Sequence, residues 1–391
     1  MPGPIAARSG ANEHPPEEGV AAEGAVEPES LSVTHWFNTE PEGEPYAAII
    51  RFTGRRIGVH GKPGPRDAFV KEETIAGIVP GSGPVSITTW VYGLVPGEWT
   101  VTADLIRPAG GVGARRASAG GRSSATHTLP RAAWSWRRWA VSTGEFAPVK
   151  TRWSPQVRLA RLPAVIHGSW PGLLAVGVLV GAAVQIVLLA RANVPVQEPL
   201  AVDGLALVSG LIGAKLWYVA SHPDTWRRSI VEGMSVDGFL LTATVVAAVG
   251  VLGFNLPIGL FLDATAPALF FGVAIGRLGC FFTGCCAGRC TRSRWGVWSS
   301  NRSVGARRIP TQLLESAAGL VLGVATTLVF LGFAPSVRGA TFVAALAVYV
   351  LIRQVLLRLR AEPHSLTRAR MTAAAAGVVL LADTIVLVSA R

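Results

Sequence analysis

The chain has 391 residues, of which half are hydrophobic and 15% are charged, and its mean hydropathy is +0.41. This composition is too apolar for a soluble domain, and the chain is too long for a single membrane span. A net charge of +12 would suit a nucleic-acid partner, but most positive charges are arginines beside apolar runs. Anionic lipid headgroups explain such arginines better, so we predict a membrane protein with a soluble part and no nucleic-acid partner.

The N-terminal part of the chain divides into three segments by composition. Residues 1–30 are rich in Pro, Glu, Gly and Ala, and they predict a disordered tail without a cleavable signal peptide. Residues 31–108 hold β-branched and aromatic runs separated by Pro and Gly, which is typical of a small β-sandwich-like domain. The stretch WVYGLVPGEWTVTADLI within it predicts a hairpin. Residues 109–168 contain GGVGARRASAGGRSS and scattered Arg and Trp, and they predict a basic linker lying against headgroups.

Apolar runs then follow one another closely from residue 169 to the end of the chain. Seven are long enough to cross a bilayer, near residues 171–190, 200–219, 236–254, 257–281, 311–332, 339–357 and 371–389. We therefore predict an α-helical polytopic membrane protein of about seven transmembrane helices, with residues 169–391 as its membrane domain. Few ionisable side chains interrupt the spans: Asp203, Lys215, Asp237, Asp263, Arg277, Glu315 and Arg353. Because a charge in lipid is costly, each is expected inside the bundle or at an interface, and together they are the first candidates for a functional site.

Two stretches around the fourth and fifth spans carry a resemblance to a known family. DATAPALFFGVAIGRLGCFFTGCCAGR and RRIPTQLLES resemble the prolipoprotein diacylglyceryl transferase family, in which a span ending in Gly-Arg-x-Gly leads through a polar loop to a Pro-[ST]-Gln-Leu segment. GAKLWYV, EGMSVDGFLLTA and GATFVAALAVYVLIRQVLLRLRAEP are similar to the second, third and sixth spans of that family. The resemblance covers about residues 171–389.

The resemblance implies a reaction, two substrates and a compartment. A diacylglyceryl group would pass from phosphatidylglycerol to the lipobox cysteine of a prolipoprotein signal peptide, in lipoprotein biosynthesis at the bacterial plasma membrane, with no cofactor and no metal. Arg277 and Arg353 would clamp the phosphate, because guanidinium binds it bidentately, and Asp237 would act near the acceptor thiol. The resemblance and the glycine-rich turn further imply substrate-binding roles for Tyr218, Gly279, Cys280, Gly284, Cys285, Gly288, Arg308 and Gln312.

The sequence departs from the family pattern at four positions that bear on the chemistry. Asp237 replaces a histidine, Cys280 an asparagine, Cys285 a glutamate, and Leu357 a glutamate that would follow Arg353 by one helical turn. An alternative function is therefore a catalytically altered paralogue that binds anionic phospholipid and recruits a partner through its β-domain.

Several of these residues also have structural interpretations. The four cysteines, spaced C-x4-C-C-x3-C, fit small residues in a re-entrant turn, a disulfide, or a thiolate metal or redox site. Gln312 and Glu315 would cap the fifth helix, Asp263 would begin a span at the interface, and Tyr218 would anchor a span there.

The distribution of positive charge conflicts with the orientation that the family implies. Arginines and lysines concentrate on the side of the N-terminal flank and of the loops after spans two, four and six, which the positive-inside rule makes cytoplasmic. The family places the loop after the fourth span outside. We favour the family orientation, because headgroup binding would also account for the arginines.

Overall fold

The chain forms two compact units in its computed structural model. The structure describes residues 30–59, 61–62, 64–92, 94, 98–106, 123–128, 138–144, 165–166, 168–223, 234–301, 303–333, 337–362 and 365–390. The tail predicted over residues 1–30 lies outside these ranges except for Ser30. The β unit comprises Met1–Trp170, Gly279–Leu313 and Arg358–His364, and the helical unit comprises Pro171–Leu278, Leu314–Leu357 and Ser365–Arg391.

Two sheets build the β unit. Their strands are β1 (Ser30–Asn38), β2 (Tyr46–Arg56), β3 (Ala68–Ile78), β4 (Pro84–Tyr92), β5 (Glu98–Ile106), β6 (Ser123–Thr128), β7 (Arg138–Gly144), β8 (Val297–Asn301) and β9 (Val304–Arg308). One sheet has the order β7-β1-β4-β9-β8 and the other β3-β2-β5-β6. All pairs are antiparallel except β1 with β7.

Alternating apolar residues from both sheets form the core of this unit. Val33 and Ile87 from the first sheet and Phe52 and Trp99 from the second are fully or almost fully buried in one cluster. On β2 the buried positions alternate with more exposed ones, as expected for a strand with one covered face. The predicted β-sandwich-like domain is thereby confirmed.

Two predictions about the N-terminal part need correction. The predicted hairpin is wrong, since β4 pairs with β1 and β9 while β5 pairs with β2 and β6 in the other sheet. Residues 109–168, predicted as a basic linker, contain β6 and β7, each of which extends one sheet. Apolar pattern marks a strand but does not select its partner, and β6 is a polar edge strand with little apolar signal.

The loop after the fourth predicted span contributes a hairpin to the β unit. Its strand β9 pairs with β4, with Ile87 opposite Val304. Trp298 on β8 donates its indole N–H to the carbonyl oxygen of Pro84 at 3.0 Å and stacks on Trp36 with ring centroids 5.2 Å apart. Residues 297–308, which the sequence assigned to the membrane domain, thus complete a sheet of the β-domain.

Seven long helices within the described residues confirm the predicted polytopic architecture. They are α1 (Ser169–Arg191), α2 (Gln197–Ser221), α3 (Val236–Gly253), α4 (Ile258–Thr283), α5 (Thr311–Gly332), α6 (Ala340–Leu357) and α7 (Leu366–Ser389). All seven are long and apolar enough to cross a membrane. Large apolar side chains such as Leu179, Val249 and Val378 remain exposed on them, which is the surface expected to face lipid.

Small residues let α4 approach its neighbours closely. A Cβ on Gly181 of α1 would lie 2.8 Å from the carbonyl oxygen of Ala268, and one on Gly319 of α5 would lie 3.0 Å from that of Phe270. Such backbone proximity is the usual basis of helix association in membranes. It places α4 between α1 and α5.

Candidate functional site

A buried carboxylate joins three helices of the helical unit. Glu315 on α5 has no exposed side-chain surface. Its Oε1 accepts a hydrogen bond from Arg277 Nη2 of α4 at 2.9 Å, from Arg353 Nη1 of α6 at 2.9 Å and from the Tyr349 hydroxyl of α6 at 3.1 Å. The sequence analysis selected Arg277, Glu315 and Arg353 as ionisable groups within spans, and in the structure both arginines form ion pairs with Glu315.

This arginine cluster, Arg277, Glu315, Tyr349 and Arg353, carries excess positive charge. One carboxylate faces two guanidinium groups, which leaves a net charge of about +1 in a medium of low dielectric. The side chains of Arg277 and Arg353 are 17% and 35% exposed, whereas Glu315 is not exposed. The carboxylate therefore orients the guanidinium groups from the buried side, and an anion can approach from the exposed side.

Sequence analysis missed Tyr349, and of its two interpretations of Glu315, as a helix cap or as a site residue, the cap is wrong. Tyr349 precedes Arg353 by one helical turn, so both project from the same face of α6. That spacing was the available signal. Glu315 does not cap α5, because the first turn of this helix has no acidic residue and Glu315 is instead ion-paired.

The glycine- and cysteine-rich turn belongs to the β unit and is held by side chains from the start of α5. Gln312 donates its side-chain N–H to the carbonyl oxygen of Cys285 at 2.8 Å, and the Thr311 hydroxyl donates to that of Cys286 at 3.2 Å. Gln312 is thus a donor to the turn rather than a helix cap. Gly284 has φ +75°, and a Cβ there would lie 2.6 Å from the carbonyl oxygen of Ser300. Glycine is required at this position for both reasons.

Arg308 is buried in the β unit beside Gly288. Its side chain donates to the carbonyl oxygens of Gly288 at 3.3 Å and Val304 at 3.5 Å, and no ion pair to it is recorded within the described ranges. A side chain on Gly288 would collide with the backbone of Ile309. These contacts give Arg308 and Gly288 a role in holding the loop, and their binding of substrate stays a prediction.

Among the described residues, no recorded hydrogen bond, ion pair or ring contact joins Asp237 or Tyr218 to the arginine cluster. Asp237 lies exposed in the first turn of α3, without a recorded ion pair to any described residue. Tyr218 stacks on His222 with ring centroids 4.4 Å apart. Asp263 is buried and accepts hydrogen bonds from the backbone N–H groups of Gly339 and Phe342, so it caps α6 and does not begin a span at the interface.

None of the four cysteines, all of which lie within the described ranges, forms a disulfide, and the thiols of Cys280, Cys285 and Cys286 interact. Hydrogen bonds with the Cys280 and Cys286 thiols, together with burial, raise the pKa of Cys285 well above its usual value. Cys285 is therefore protonated at neutral pH, and only its small thiolate fraction can act as a nucleophile or metal ligand. No group of three or more His, Cys, Asp or Glu side chains within the described ranges could hold a metal ion.

Comparison with known proteins agrees with these features. The family model for prolipoprotein diacylglyceryl transferase matches residues 162–389, which is more than half of the chain. The chain belongs to the prolipoprotein diacylglyceryl transferase family. This is a family of membrane transferases, and the matched region includes every residue of the arginine cluster.

Curated relatives in this family include phosphatidylglycerol–prolipoprotein diacylglyceryl transferases from three bacteria. The one from Dehalococcoides mccartyi is 29% identical over 32% of this chain and 51% of its own length. The second transferases of Streptomyces coelicolor and Clostridium perfringens are 30% and 26% identical, over 38% and 41% of this chain and 51% and 66% of their own lengths. The chain thus spans about half to two thirds of the length of these relatives. The family match does not include strands β1 to β7.

Proposed function

We propose that this protein transfers the diacylglyceryl group of phosphatidylglycerol to the cysteine thiol of prolipoproteins. The observation that carries the proposal is the arginine cluster, in which two guanidinium groups share one buried carboxylate. The names of the curated relatives support the same reaction. The family orientation would place the loop after α4, and with it the β unit, on the outer face of a bacterial plasma membrane.

The charge of the cluster suits the headgroup of the proposed donor. A phosphodiester carries one negative charge, which would neutralise the residual positive charge of the cluster. In the reaction, a sulfur–carbon bond forms to the diacylglyceryl group and the carbon–oxygen bond to phosphate breaks. The departing glycerol phosphate gains a second negative charge, and guanidinium groups that are already oriented stabilise this charge best where it develops.

The acceptor thiol must lose its proton in this reaction. We propose Asp237 as the proton acceptor because it replaces the family histidine and lies exposed in the first turn of α3. The protonated Cys285 is unsuited to this task. The role of Asp237 as the base is tested separately from the binding of phosphate by the arginine cluster.

The proposal is tested by reconstituting the full chain with phosphatidylglycerol and a lipobox peptide and measuring thioether-linked product by mass spectrometry. We expect product with the wild-type chain and a loss of at least about 100-fold for Arg277→Ala and Arg353→Ala, the scale of removing a transition-state donor. Arg370→Ala, an exposed arginine of α7, is the matched control and should retain activity. Asp237→Asn should reduce product while leaving lipid binding intact.

The altered-paralogue hypothesis predicts a different result. The wild-type chain would then bind phosphatidylglycerol in an Arg277-dependent manner yet form no thioether product, and it would not support growth of a transferase-depleted strain. This outcome would overturn the proposed transfer reaction, and the arginine cluster would remain a binding site for the lipid phosphate.

A further inference from the structure

The end of α4 has a hydrogen-bond pattern that brings two cysteines together. The backbone N–H of Cys285 donates to the carbonyl oxygen of Cys280 at 3.1 Å, and that of Gly284 donates to the carbonyl oxygen of Phe281 at 3.3 Å. With Gly284 in the left-handed conformation, this is a Schellman motif. In this motif the side chains at the positions of Cys280 and Cys285 are frequently in contact.

The thiol groups of Cys280 and Cys285 lie close together, as this backbone conformation predicts. Cys285 Sγ lies 3.7 Å from the carbonyl oxygen of Cys280, and its thiol hydrogen-bonds with those of Cys280 and Cys286. Thr311 and Gln312 hold the carbonyl groups of Cys286 and Cys285, so the turn is fixed around the sulfur atoms. Cys290 lies elsewhere, paired through its backbone with Arg308 and packed against the β core.

We propose that Cys280 and Cys285 are a redox pair that forms a reversible disulfide with an external disulfide as oxidant. The half-buried Cys285, as its thiolate, attacks the oxidant and forms a mixed disulfide, which releases one oxidant thiol. Cys280 then attacks the Cys285 sulfur and releases the second thiol. Each cysteine gives up one proton, and the oxidant is reduced to two thiols.

Cys285 and Cys286 are the competing pair. A bond between adjacent cysteines closes a ring around a single peptide unit and departs from the distances and dihedral angles that disulfides prefer. The Schellman motif instead places the two cysteines of the proposed pair on facing backbone positions without such a ring. The geometry therefore favours Cys280 over Cys286 as the partner of Cys285.

The test uses the full chain in detergent, equilibrated in glutathione buffers, denatured, blocked with N-ethylmaleimide and digested with trypsin. Cleavage after Arg277 and Arg289 gives one peptide with Cys280, Cys285 and Cys286, while Cys290 falls in the next peptide as an internal control. We expect the first peptide to pass from three adducts to one as the buffer becomes oxidising, and Cys290 to keep its adduct.

Serine variants identify the pair. Cys286→Ser should still oxidise, and its peptide should lose both remaining adducts, whereas Cys285→Ser and Cys280→Ser should keep two adducts in every buffer. The oxidation rate should rise about tenfold per pH unit above neutrality, because the thiol of Cys285 is protonated there. The proposal is overturned if Cys286→Ser keeps both thiols in oxidised glutathione, or if Cys280→Ser oxidises as readily as the wild type. The readout is a mass and does not depend on transferase activity.

Discussion

Glutamine in place of Glu315 would remove the one negative charge of the arginine cluster with little change in shape. Arg277 Nη2 and Arg353 Nη1 both lie 2.9 Å from the same carboxylate oxygen. The two nitrogens are therefore less than about 6 Å apart, and at an effective dielectric of about 20 their uncompensated repulsion is at least about 3 kcal/mol. This value lies at the low end of the cost of breaking a buried ion pair, which is consistent with the partial exposure of Arg353.

The loss is measured by thermal unfolding of the purified chain. A cost of about 3 kcal/mol corresponds to a fall in Tm of roughly 6–12 °C for a domain of this size. Glu72→Gln breaks an exposed ion pair with Arg51 and is the matched control, with an expected change below about 1 kcal/mol. Adding Arg353→Gln to Glu315→Gln should recover part of the loss, because a single guanidinium then remains. An unchanged Tm in Glu315→Gln, or no recovery in the double variant, would refute the electrostatic reasoning.

Three further predictions concern the β unit and the turn. Trp298→Ala should destabilise the β unit by about 3 kcal/mol, because the ring contact with Trp36 and the indole hydrogen bond are lost. The loss is measured as faster amide hydrogen exchange in β4 and β9. Trp295→Ala is the control and should leave the exchange rates unchanged, because this residue is 75% exposed. Gly284→Ala should lower Tm, because this residue has a positive φ and a Cβ there would approach the carbonyl oxygen of Ser300. Gly276→Ala is the control and should leave Tm unchanged, because Gly276 is helical and a Cβ there would meet open space. Equal changes in Tm for the two variants would contradict the role of the turn. Single cysteines placed in β3 and in the turn before β8 should react with an impermeant maleimide from the same side of the membrane, since β4 pairs with β9; labelling from opposite sides would exclude the shared sheet.

Hydropathy was sufficient for the membrane architecture, and residue identity was sufficient for part of the site. The seven spans could be read from the sequence because each depends only on a local run of apolar residues about 20 long. Arg277 and Arg353 could be selected because a charge within a span needs a reason to be there. Their common partner could not be found in this way, since Glu315 lies on a third helix and its interpretation as a cap fitted the local sequence equally well.

Contacts between distant parts of the chain were decided only by the tertiary structure. The hydrogen bond from Trp298 to Pro84 joins residues 214 positions apart, and no local pattern indicates that a loop between two spans would complete a sheet begun before the first span. The facing of Cys280 and Cys285 required the helix to end at Gly284, which hydropathy does not specify. The sequence by itself therefore determined which segments enter the membrane and which charged side chains are costly there. The tertiary structure decided which strands pair and which side chains form ion pairs with those charged residues, because both depend on contacts between distant parts of the chain.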